Sequence, residues 1–78
     1  MNIKPEDIHY EYDSRGYMMY YKGFAIGGAG IDKYAKGCRS NIKLFKECAV
    51  QTKRNILSGY IDKYMLDKIK EIEEKGEA

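Results

Sequence analysis

The chain has 78 residues, with 14 Lys and Arg against 12 Asp and Glu, a single His, and 44% hydrophobic against 33% charged residues. That length makes one small domain, near the limit at which a single core suffices without a staple, and the composition excludes a disordered chain. No apolar run reaches the ~18 residues of a membrane span. The opening residues, MNIKPEDI, hold no apolar signal stretch, so the expected location is cytoplasmic. Cys38 and Cys48 then read as separate reduced thiols. Their ten-residue offset and the lone His9 supply no zinc set, so neither metal nor cofactor is expected.

Residues 8–29, IHYEYDSRGYMMYYKGFAIGGA, predict a three-stranded antiparallel meander. Asp13-Ser14-Arg15-Gly16 reads as a four-residue loop, with Gly16 available for a positive φ. Lys22-Gly23 reads as a two-residue turn. Closing both turns pairs Tyr12 with Tyr17, Tyr10 with Met19, Ile8 with Tyr21, Tyr21 with Phe24 and Met19 with Ile26. Alternation of period two then gathers Ile8, Tyr10, Tyr12, Tyr17, Met19, Tyr21, Phe24 and Ile26 on a core face. The opposite face receives His9, Glu11, Met18, Tyr20, Ala25 and Gly27, with Gly27 opposite Met18.

Residues 30–39 form a glycine-rich basic connection, and residues 40–74 read as helical, with Ser40 or Asn41 as cap. Ile42, Phe45, Ala49, Thr52 and Ile56 recur at three- and four-residue steps, and Leu44 and Cys48 widen the stripe. Ile61, Met65, Ile69 and Ile72 repeat the pattern, flanked by Tyr60 and Tyr64. Ser58-Gly59 allows either a kinked continuous helix or a break. A continuous helix would run about 50 Å, overhang the sheet, and leave Ile69 and Ile72 in need of a homodimer partner. A break would fold the last segment back. Residues 75–78 are expected to fray. The expected class is therefore α+β, in the order β-β-β-α(-α), as one domain over 1–78.

Charge is uneven. Residues 1–14 set Lys4 against four acids, residues 15–54 set nine Lys and Arg against Asp32 and Glu47, and residues 55–78 set four Lys against six acids. The middle is basic between acidic flanks. Arg15, Lys22, Lys33, Lys36, Arg39, Ser40, Lys43 and Lys46 are the candidates for an anion or nucleic-acid edge, or else a solvated face. Gly27, Gly28 and Gly30 could admit a phosphate, so capture of a nucleotide-like anion over residues 27–40 is a further candidate. The passage lacks a G-K-[ST] ending and a G-x-G-x-x-G running into a helix.

Catalytic chemistry is thin: His9 faces Tyr20, no Ser or Cys is tied to it by a motif, and no carboxylate pair stands in an apolar setting. No enzyme is expected. On the outer face, Met18 and Tyr20 stand over small neighbours beside His9 and Glu11, and these four are the expected partner-binding residues. Such patches are seldom left unused, and Tyr and Met suit interface centres.

A three-stranded sheet followed by a helix resembles the arm-site-binding domains of tyrosine recombinases and the plant ethylene-response DNA-binding domains. YYKGFAIGG at residues 20–28 has the flavour of their central hairpin, and the likeness covers about residues 8–57. It implies insertion of the sheet into the major groove. Those strands usually project several basic residues, whereas this face offers His9, Glu11 and Met18. GAGIDKYAKGCRSNIKLF also resembles the end of a double-stranded RNA-binding domain, without that domain's first helix. In type, one compact motif-free domain resembles short accessory proteins of phages and mobile elements, including inhibitors of bacterial defence systems. The expected function is thus occupation of a protein partner's surface, with duplex DNA binding as the alternative.

Overall fold

The computed structural model describes residues 3–30 and 42–76. The connection beyond Gly30, with Lys33, Lys36, Cys38, Arg39 and both candidate caps, Ser40 and Asn41, lies outside the described residues. After a short 3-10 turn at Pro5–Asp7 come β1 (Ile8–Asp13), β2 (Gly16–Tyr21) and β3 (Phe24–Gly30), then α1 (Ile42–Leu57) and α2 (Lys63–Gly76). The strands form one antiparallel sheet in the order β1-β2-β3. The fold is α+β.

The first hairpin has the expected register, Ile8 with Tyr21 through Tyr12 with Tyr17, but its turn is tighter than a four-residue loop. Asp13 still pairs with Gly16, leaving Ser14-Arg15 as the turn, and the Asp13 carboxylate accepts the Arg15 backbone N–H at 2.7 Å. Gly16 has no positive φ. It is small because a Cβ there would strike the Ala29 carbonyl oxygen of β3. The second turn places Lys22 at φ 50° and Gly23 at φ 86°, the left-handed pair that matches strand twist in a two-residue hairpin.

β3 departs from the simple ladder. Tyr20 faces Ala25 as expected, but Met19 faces Gly27, so Ile26 is an inserted residue at a bulge. A bulge places two residues against one and bends its strand. Ile26 stays buried, 1% exposed, yet its neighbours beyond the bulge exchange faces, and Gly28 rather than Gly27 meets Met18.

Ile8, Met19, Tyr21 and Ile26 form the inner face with Ala49, Ile56 and Ile69. Each large side chain so buried contributes about 1.5–3 kcal/mol. α1 lies across β1 and β2, and α2 lies against β3. Phe24, expected in the core, is 62% exposed. It stands at the turn end of an edge strand, where neither helix covers it among the described residues. Tyr12, at the opposite end of the hairpin, and Ile42, in the first turn of α1, are exposed for the same reason of position.

The helical segment breaks. Tyr60 N–H bonds to Asn55 C=O at 2.8 Å and Gly59 N–H to Ile56 C=O at 3.2 Å, with Gly59 at φ 89°. These are the paired bonds of a Schellman motif, in which a left-handed glycine satisfies the last carbonyls of a helix. Three residues later the Asp62 carboxylate accepts the Met65 N–H at 2.8 Å, capping α2. Ile69 is thereby folded under the sheet and fully buried. The overhang that called for a homodimer does not arise. Replacing Gly59 with Ala should destabilise the fold by about 1–2 kcal/mol, and Asp62→Ala by about 1 kcal/mol. Asp62→Asn should be nearly neutral, all three read by denaturant titration.

Candidate functional site

Both helices occupy the inner face, so the described residues leave the outer face of the sheet uncovered. Alternation places His9, Glu11, Met18 and Tyr20 there, with His9 opposite Tyr20 and Glu11 opposite Met18. Met18 is 40% exposed, whereas the adjacent Met19 is 0% exposed. Tyr20 is half-buried and its hydroxyl reaches Glu11 at 3.5 Å, a long and weak contact. The four expected partner-binding residues therefore share one face.

The floor beneath Met18 is glycine by necessity. A Cβ on Gly28 would strike the Tyr17 carbonyl oxygen and lie 2.8 Å from the Met18 sulfur. On the other face of the same strand, a Cβ on Gly27 would lie 2.8 Å from Met65 Cε. Two thioethers thus press on adjacent glycines from opposite sides. At this end of β3 a hollow of about 740 Å³ opens, bordered by Glu11, Tyr12, Met18, Gly28, Asp62 and Tyr64 among others. Asp62 and Tyr64 come from the start of α2. Sequence patterning missed them as site residues, because their position depends on how the chain returns after Gly59.

Among the described residues the basic candidates fall at three separate places. Arg15 contacts Asp13 at 3.9 Å at the first turn. Lys22 pairs with Glu73 of α2 at 3.3 Å and lies 5.4 Å from the Tyr21 ring centroid. Lys43 and Lys46 lie on the exposed side of α1, bordering a second hollow of about 400 Å³ with Glu47 and Arg54. Lys33, Lys36, Arg39 and Ser40 lie outside the described residues. Of the proposed anion loop, residues 27–30 belong to β3 and are bordered by the carboxylates of Glu11, Asp13 and Asp62, an unfavourable setting for a phosphate.

Lys22 belongs to a cluster that fixes the far end of α2. The Tyr21 hydroxyl donates to the Glu73 carboxylate, and the Lys22 ammonium donates to both its oxygens at 3.3 Å. Burial, reinforced by the bond to Glu73, raises the Tyr21 phenol above its ordinary value. The Tyr21 hydrogen bond and then Lys22 hold the Glu73 carboxyl low. The Glu73 bond raises Lys22. A lowered carboxyl stabilises the fold above its ordinary value of about 4.3, and that contribution is lost as pH falls through the lower folded value. The raised phenol acts oppositely, its contribution being lost as pH climbs above about 10.

No protein-family model, no curated protein and no solved structure matches this chain. The site is therefore read from its own geometry.

Three measurements check that geometry. Gly28→Ala should cost about 1–3 kcal/mol from overpacking against the Tyr17 carbonyl and should displace Met18, visible as a shift of its methyl resonance. In thermal melts across pH 3 to 6, the wild type should lose stability more steeply than Glu73→Gln on the acid side. Tyr21→Phe should remove about 1.5 kcal/mol at neutral pH.

Proposed function

We propose that this chain is a non-enzymatic binding protein that acts by occupying the surface of a protein partner, in the manner of short phage or mobile-element accessory and anti-defence proteins. The observation that carries the reading is the bare outer face, where Met18 stands 40% exposed on a glycine floor beside Tyr20. A flexible thioether and an aromatic ring over a flat backbone offer apolar contact area with adaptable shape. His9 and Glu11 supply a polar rim of the kind that surrounds interface centres.

The second reading is duplex DNA binding. Its support is the exposed basic side of α1, with Lys43, Lys46 and Arg54 around one hollow. Against it, Lys22 is engaged by Glu73, and the sheet face that would enter a groove presents Glu11. Self-association is a third outcome for the same outer face, which could pair with its counterpart in a homodimer.

Affinity capture from host lysate, with and without nuclease, separates these readings. Protein docking predicts a nuclease-resistant partner whose capture falls at least tenfold with Tyr20→Ala or Met18→Ala and little with Lys43→Ala or Lys46→Ala. Its affinity should change modestly between about 50 and 200 mM salt, whereas contact with six or more phosphates would lose about a thousandfold. Sedimentation of the free chain reads self-association directly.

A further inference from the structure

β3 closes the sheet on one side, and among the described residues no backbone hydrogen bond reaches it from outside the sheet. Its sequence, FAIGGAG, carries no charged residue and no Pro, the features that ordinarily discourage strand addition. Over residues 27–30 only Ala29 has a side chain, so a second backbone could approach closely.

The surroundings state what chemistry would suit such a backbone. The 740 Å³ hollow beside this stretch includes three carboxylates, Glu11, Asp13 and Asp62, and one cation, Arg15. Arg15 and Asp13 engage each other, which leaves Glu11 and Asp62 without a cationic partner in the hollow among the described residues. Each spends only part of its accepting capacity, Glu11 on the distant Tyr20 hydroxyl and Asp62 on the Met65 N–H. Tyr64 borders the same space at 65% exposure, and its ring already holds the Lys68 ammonium 5.8 Å from its centroid. An anion would meet repulsion here. A purely apolar segment beside the start of α2 would desolvate the Asp62 carboxylate without replacing its water.

We propose that the hollow at the glycine-rich end of β3 docks an extended, lysine- or arginine-bearing peptide segment, which adds to the sheet as a strand beside β3. Its backbone pairs with the edge over residues 27–30, and the basic side chains on its helix-facing side reach Asp62 and the face of Tyr64. Strand addition supplies affinity through main-chain bonds, and alternate side chains supply specificity. This edge is distinct from the Met18–Tyr20 face, and the inference stands whether or not that face docks a protein.

The test titrates the isotopically labelled full chain with a blocked hexapeptide alternating valine and lysine, followed by amide resonances. Controls are the same peptide with glutamate for lysine and one N-methylated at alternate residues. The expected result is saturable movement of the Gly27, Gly28 and Gly30 amides at roughly millimolar peptide or below, with the lysine peptide alone. The variant Asp62→Asn should bind roughly threefold more weakly, since one weak exposed ion pair is worth under a decade of affinity. Asparagine keeps the cap on α2, and circular dichroism verifies its fold. Equal binding of the glutamate peptide, or of the N-methylated peptide, overturns the proposal, as does failure to saturate or movement confined to other residues. Protection of the β3 edge amides from exchange in the free chain also overturns it, because the edge would then be taken by the chain itself.

Discussion

Folding the second helix back under the sheet is the constraint on which the rest depends. The Gly59 motif and the Asp62 cap occupy the few residues between α1 and α2, and together they send Ile69 into the core. A domain of this size has little surplus burial, so one fully sealed isoleucine and the β3 contact beneath Met65 are a substantial share of its stability. The same reversal brings Asp62 and Tyr64 to the glycine end of β3 and carries Glu73 to Tyr21. One change of direction therefore closes the core, builds the hollow and anchors the helix at both ends.

With two helices on one face, the other face is left to whatever lies outside the described chain. The division between faces is carried by consecutive residues in β2: Met18 out, Met19 in, Tyr20 out, Tyr21 in. A pleated strand enforces that division without any help from the partner. The surface on which the binding reading rests is thus a direct by-product of how the core is satisfied.

Much of this was legible before the structure. Turn chemistry at Asp13–Gly16 and the apolar alternation set the first hairpin register, because a one-residue slip would have turned Ile8 and Met19 to solvent. The helical stripe of Phe45, Ala49 and Ile56 followed from spacing alone. The bulge at Ile26 did not, since Ile26, Gly27 and Gly28 fit a regular ladder as well as a bulged one, and the choice is made by where Met65 and Met18 need room. Phe24 misled because hydrophobicity marks a preference for burial, while coverage depends on where the helices end. The break was one of two options until Gly59 was seen in a left-handed conformation followed by a working cap. The basic segment was legible as composition only. Lys22 was claimed by a glutamate 51 positions away, a pairing no local pattern contains.

The two methionines seated on Gly27 and Gly28 give the molecule a shared chemical vulnerability. Conversion of a thioether to its sulfoxide adds a polar oxygen and a fixed pyramidal shape to a side chain valued for its pliancy. On its glycine side each seat is tight, because a carbon added there would lie 2.8 Å from the methionine above it. Peroxide reaching the exposed Met18 would roughen the outer face and leave the core intact. Reaching Met65 would lever the second helix away from β3. Mild and severe oxidants should therefore alter this protein in two separable stages, first its outer face and then its fold.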